Sequence, residues 1–256
     1  MSKINRRNFI RTSLMGGAAA TFYSPFSDLK ALVSPDLPGQ ASSRVSLVTG
    51  GDRADIAFRA LEPFSAEIAR AIGRRRVVIK PNNVSTSIQL AATHAETLEG
   101  ILEFLRSIKK LDNVIIAESA ASGPAIEGYS NFGYLRLAEK YPVKLIDLDQ
   151  EKHEILYVFD EKDFSPHPVR FSSILLSPDS YLISAAKMKT HDRVIVTLSL
   201  KNIIFGAPVK DPGFSWGKTR REGAWSDKAI VHGSGFRGIN YNLFDLAPRL
   251  HPHLAL

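Results

Sequence analysis

Along the chain, short apolar runs alternate with longer stretches whose apolar residues recur every three or four positions. The first kind reads as buried strands and the second as amphipathic helices. Strands are predicted over residues 45–49, 77–79, 114–117, 143–148 and 181–186. Ile56, Ala60, Phe64, Ile68 and Ile72 give one helical stripe, interrupted near Pro63. Leu98, Ile101, Leu102, Leu105 and Ile108 give a second. Gly50-Gly51-Asp52 reads as a turn and cap before the first helix, and Thr93 with Glu96 as a capping box before the second. The Gly- and Ser-containing stretch 119–130 reads as loop, with a helix over 132–140. Residues 154–159 and 169–176 look like a β excursion, 239–250 like a last helix, and 254–256 like the start of another strand. Strands alternating with helices predict an α/β fold: a mostly parallel sheet, helices on both faces, and a small β excursion.

The stretch 181–206 organises the rest. Its strand is followed at once by Lys187, Lys189, Thr190 and His191, then by Thr197, Lys201 and Asn202. In open α/β sheets, ligands bind beyond the carboxyl ends of strands. Two other strands end in polar residues at the same edge: Lys80 with Asn82, and Glu118 with Ser119. Cations this close repel one another unless an anion sits among them. Residues 194–205 carry both a strand-like alternation and a Gly206 that reads as a helix C-cap, and the short helix is favoured. Thr197 and Lys201 share a face in either conformation. The segment 207–238, rich in Gly, Lys, Arg and Trp, reads as a functional or disordered loop.

His191 and His232 are the candidates for proton transfer or metal ligation, with Glu118 as a third catalytic candidate and the natural counter-charge. For His191, a histidine bonded to a backbone carbonyl is the alternative. Lys80, Asn82, Lys187, Lys189, Thr190, Thr197, Lys201 and Asn202 are the candidate ligand-binding residues. No histidine pair has HExxH spacing, so a metal site would be assembled in space. The chain has no G-x-G-x-x-G after a strand, no Walker-type loop and no G-x-S-x-G elbow. These absences argue against a dinucleotide dehydrogenase, a P-loop ATPase and an α/β-hydrolase.

Composition narrows the classes further. The 256 residues contain no cysteine, which excludes a cysteine-ligated iron–sulfur cluster, disulfides and a cysteine nucleophile. A metal or a metal-bearing organic cofactor stays compatible with the lysine and histidine set. No apolar run reaches the ~20 residues of a membrane span. The net charge of +7 is concentrated at the start, where Lys3, Arg6, Arg7, Arg11 and Lys30 face only Asp28 within the first thirty residues. The remainder is too weakly basic to suggest nucleic acid.

That amino terminus resembles a twin-arginine export signal: Arg6-Arg7, then Phe9, then the weakly apolar 14–22. A disordered basic tail is the alternative. The resemblance implies a signal and linker over 1–40, recognition by the twin-arginine machinery, a periplasmic location, and a single α/β domain over 43–256.

The order of Val78-Ile79-Lys80-Pro81-Asn82, Glu118-Ser119, Lys187-Met188-Lys189-Thr190-His191, Lys201-Asn202 with Gly206, and Lys228 through His232 resembles the domain of unknown function 362. The resemblance covers residues 45–256 and implies an α/β fold with undefined biochemistry. Many relatives carry a cysteine-rich ferredoxin-like segment that this chain lacks. Relatives also continue past the last helix into a strand and a Gly-rich loop, so ending at Ala255-Leu256 implies a shortened member. A second likeness is to the nickel-pincer lactate racemases, in which a histidine after a strand precedes a cofactor-holding lysine by ten residues. His191 and Lys201 have that separation, although Ser199-Leu200 stands where those enzymes have a Gly-Gly pair. Together these features predict an exported enzyme acting on or with a small anionic ligand, or a non-catalytic periplasmic anion-binding protein.

Overall fold

A five-stranded parallel sheet carries the molecule, with Val143–Asp147, Val114–Glu118, Arg76–Lys80, Ser180–Ser184 and Leu254–Ala255 side by side in that order. The computed structural model describes residues 43–216 and 221–256, of which 46–256 form one compact unit. In chain order the elements begin with α1 (Arg53–Leu61), α2 (Ser65–Ile72), β1 (Arg76–Lys80), α3 (Ala95–Ser107) and β2 (Val114–Glu118). There follow α4 (Ala125–Asn131), α5 (Leu135–Lys140), β3 (Val143–Asp147), β4 (His153–Asp160), β5 (Ser165–Ser172) and α6 (Ser173–Leu176). The last are β6 (Ser180–Ser184), β7 (Lys189–His191), β8 (Ile195–Thr197), α7 (Ser199–Ile204), α8 (Asp227–Val231), α9 (Phe236–Leu246) and β9 (Leu254–Ala255).

Alternation along the strands builds two cores. Val77, Ile79, Val114, Ile116, Tyr181 and Ile183 face α3, whose Leu98, Ile101, Leu102 and Leu105 are fully buried against them. Val78, Ile115, Ala117 and Leu182 face the other way, toward Ile203, Ile204, Val231, Ile239 and Leu246. Each fully buried Leu, Ile or Val contributes about 1.5–3 kcal/mol, so neither face would hold without its helices. The α/β fold with helices on both faces is as predicted, and the β excursion is the antiparallel hairpin β4–β5. Among the described residues, no helix is long and apolar enough to cross a membrane.

Several local expectations are corrected. Residues 45–49 form no strand; Leu47 is exposed and no sheet edge pairs with them. Asp52 does cap α1, accepting from the Asp55 amide at 2.8 Å. Thr93 caps nothing, because the N-cap of α3 is His94. The Thr93 hydroxyl instead accepts from the Asn82 amide at 2.9 Å and donates to the Ala185 carbonyl at 2.6 Å, tying the exits of β1 and β6 together. The supposed loop up to residue 130 contains α4, started by Pro124, whose fixed φ suits a helix entrance. In 194–205 both patterns are realised in turn: β8 pairs with β7, and α7 follows. The last helix starts three residues before residue 239 and ends at Leu246.

The segment 207–238 is ordered where described, holding α8 and the start of α9. Arg170 on β5 explains this. Its guanidinium grips Asp227 through two nitrogens, each at 3.0 Å, and Asp211 at 2.8 Å. Such bidentate pairing fixes direction as well as distance. The twin-arginine signal and linker expected over 1–40 lie outside the described residues.

Candidate functional site

Beyond the carboxyl ends of β1, β2 and β6 lies a cavity of about 360 Å³. Lys80, Asn82, Glu118, Lys189, His191, Thr197, Lys201, Asn202 and His232 all line it, as do Lys228, Phe205 and Trp216. Two sequence candidates are not among its lining: Lys187, which precedes β7, and Thr190, which is exposed because alternate residues of β7 face opposite ways.

The floor is a closed polar network. Lys80, 1 % exposed, donates to Glu118 Oε1 at 2.5 Å, the Pro81 carbonyl at 3.2 Å and Asn202 Oδ1 at 3.3 Å. All three ammonium protons are thereby used. The Glu118 carboxylate also accepts from the amides of Ser119 and Asn83, at 2.8 and 2.9 Å. Glu118 is thus the partner of Lys80, not a counter-charge for Lys201, and its oxygens are occupied. Asn202 accepts from Asn82 Nδ2 at 2.9 Å and donates to the Lys80 carbonyl at 3.1 Å and Ser184 Oγ at 3.0 Å. These residues position others and have little capacity left for a ligand.

Gly206 has a role different from the C-cap expected of it; the cap of α7 is Phe205. A methyl at Gly206 would fall 2.2 Å from Lys80 Cε and 2.4 Å from Nζ. Glycine stands there so that the Lys80 ammonium can reach Glu118.

The remaining three lysines differ from Lys80. Lys189 donates to Asn82 Oδ1 at 2.7 Å and the Ala91 carbonyl at 2.8 Å. Lys228 donates to the carbonyls of Pro208 and Gly206, at 2.8 and 3.2 Å. Lys201 lies with its nitrogen 5.0 Å from the Phe205 ring centroid and donates no hydrogen bond among the described residues. None of the three forms an ion pair with a described carboxylate. Burial, and for Lys201 the neighbouring Lys189, therefore pulls their ammonium groups down: Lys201 to about 8 and Lys228 to about 7, with Lys189 also lowered.

The two histidines are complementary. His232 Nδ1 bonds the Lys228 carbonyl, which can only accept, so Nδ1 carries the proton and Nε2 a free lone pair. Two groups approach His191 Nδ1: Asp192 Oδ1 at 3.1 Å, out of line for a hydrogen bond, and the Arg193 amide at 3.2 Å, whose bond Nδ1 accepts, leaving Nε2–H as a donor. The rings lie 6.4 Å apart and nearly parallel, at 22°. Burial, above all, keeps both neutral: His232 falls to about 4, and His191 is lowered by burial and then by Lys201. The turn carrying His191 is strained, since the β-branched Ile195 has φ 65°. Among the described residues, no three His, Asp or Glu side chains cluster as metal ligands, so the two imidazoles are the metal donors the cavity offers. Among the described residues, the Thr197 hydroxyl, buried in the wall, has no hydrogen-bond partner.

Lys228 and Trp216 were not legible as site residues. Lys228 sits on the buried side of a five-residue helix, and a lysine between Asp227 and Val231 looks like solvent face. Trp216 reaches the wall because its amide bonds the Ala121 carbonyl, at 3.4 Å, a link no local pattern encodes.

Comparison with curated proteins and with solved structures returned no match. A family profile described as Domain of unknown function (DUF362) matches residues 77–256, a span that takes in β1, β2, β6, the β7–β8 hairpin and every lysine and histidine of the cavity. The chain belongs to the DUF362 family.

Proposed function

We propose that the cavity binds a small anion and that His191 and His232 move a proton to or from it. One observation carries the reading: among the described residues, four lysines line the cavity with a single carboxylate, and that carboxylate is engaged by Lys80. Unpaired buried cations are costly, and a ligand anion relieves the cost for Lys189, Lys201 and Lys228 together. The neutral donor on His191 and neutral acceptor on His232 favour an enzyme over a passive binder, because proton transfer needs one of each. A metal-bearing organic anion would use the same lysines, with the imidazoles as metal donors. The paired Arg6-Arg7 supports export through the twin-arginine route to the periplasm.

Titration calorimetry with inorganic phosphate, acetate and pyruvate at pH 7 tests the reading. We expect one site, with binding at least tenfold weaker in Lys201→Ala and a melting temperature equal to or above that of the unaltered protein. Removing an unpaired buried charge does not weaken the fold. If none of the three anions binds, or if Lys201→Ala binds them undiminished, the reading fails.

A further inference from the structure

We propose that Lys201 is a nucleophile that forms a Schiff base with a carbonyl-bearing anion of the 2-oxo-carboxylate class. The inference rests on the reading of the cavity as an anion site, and on a contrast among its lysines. Lys80, Lys189 and Lys228 each donate to two or three fixed acceptors and can do little but hold charge. Lys201 has no such tether among the described residues, and its nitrogen stands over the Phe205 ring at 5.0 Å. An amine without acceptors, in a desolvated wall among other cations, is kept partly in its neutral, nucleophilic form.

The surroundings divide the labour. Lys189 and Lys228 each have one N–H beyond those already used, and these are placed to take the carboxylate of the ligand. Phe205 and Trp216 offer an apolar wall to the rest of a small organic anion. The carbonyl carbon then faces Lys201. The amine lone pair forms the C–N bond as the carbonyl π pair moves to oxygen, which the His191 Nε2–H stabilises by a hydrogen bond. The free His232 Nε2 takes one amine proton and delivers it to that oxygen, giving a neutral carbinolamine. The same nitrogen carries the second amine proton to the hydroxyl, which leaves as water while the C=N bond forms. One water is released and no oxidant or reductant is required. Both imidazoles sense the charge of Lys201, as their shared depression by it records.

The test uses the whole chain with pyruvate and cyanoborohydride at pH 7.5, followed by intact mass and peptide mapping across all lysines. We expect a single reduced adduct on Lys201 at substoichiometric reductant, absent from Lys201→Arg, which keeps the positive charge. Acetate, which has the carboxylate but no reactive carbonyl, should compete with adduct formation. Calorimetric binding of pyruvate without an adduct on Lys201 would overturn the Schiff base and leave the anion site standing. Label scattered over surface lysines, unchanged in Lys201→Arg, would overturn it as well. Absence of both binding and adduct would overturn the two readings together.

Discussion

Adding one methyl group at residue 206 should disable the floor of the site from outside it. In Gly206→Ala the new Cβ would lie 2.2 Å from Lys80 Cε, 2.4 Å from Nζ and 2.4 Å from the Asn202 carbonyl oxygen. Real Cβ atoms do not approach so closely, so the Lys80 ammonium must leave Glu118. Both partners of that ion pair are 2 % exposed, and Glu118 would then be a buried, unpaired charge. Breaking a buried pair from one side costs about 3–5 kcal/mol. For a unit of this size that is a fall in melting temperature of roughly 6–20 °C. Thermal and urea unfolding of the single variants and of the double variant with Lys80→Ala measure it. In Lys80→Ala the two struck side-chain atoms are gone and the Asn202 carbonyl alone is still met, so adding Gly206→Ala should cost clearly less than it does in the unaltered protein. A Gly206→Ala protein melting within 2 °C of the unaltered one, about the effect of a surface change, would refute the argument. So would strict additivity in the double variant.

Three further outcomes follow from the same network. Anions prefer charged lysines, and the free site holds Lys228 and Lys201 at about 7 and about 8, so anion affinity should fall as pH rises through that interval. The slope approaches tenfold per pH unit for each lysine that must take up a proton, and a flat calorimetric profile between pH 6.5 and 9 would contradict it. Thr93→Val should destabilise by about 1–3 kcal/mol, because the Asn82 amide and Ala185 carbonyl lose their partner, and should also weaken anion binding. Loss of stability with binding intact would leave Thr93 a structural tie between the exits of β1 and β6 with no part in the site. Arg6→Lys combined with Arg7→Lys should leave the precursor in the cytoplasm, and undiminished delivery of that variant to the periplasm would remove the twin-arginine proposal.

The sheet was legible because its strands are apolar on both faces, and a run such as Val77-Val78-Ile79 has few alternatives. That Lys80, Asn82, Glu118, Lys189 and His191 gather at the cavity was legible for a related reason, since they lie at or just beyond strand ends. Their division of labour was not. Nothing in the order of residues says that Glu118 answers Lys80 rather than Lys201, because that choice is made by the gap at Gly206. Thr93 was misread because Glu96 stands three residues on, as in a capping box, while its hydroxyl is taken up by the Asn82 amide and the Ala185 carbonyl. The order within 207–238 escaped notice because it is imposed by Arg170, far away in sequence.

The alternation of β1 has a consequence for which sequence changes this fold can absorb. Val78 and Lys80 emerge on one side, Ile79 on the other, and Ser184, the register partner of Lys80, emerges beside it to meet Asn202. The whereabouts of the ammonium is therefore a question of parity within a five-residue strand. The stretch between Pro81 and Thr93, which runs outside the sheet, can gain or lose a residue and adjust. One residue added inside β1 would turn Lys80 toward Leu98 and Leu102, delivering a charge into the apolar core behind α3 and an isoleucine into the polar floor. Divergence can remodel the rim of this cavity freely, while the count of residues beneath it is held fixed.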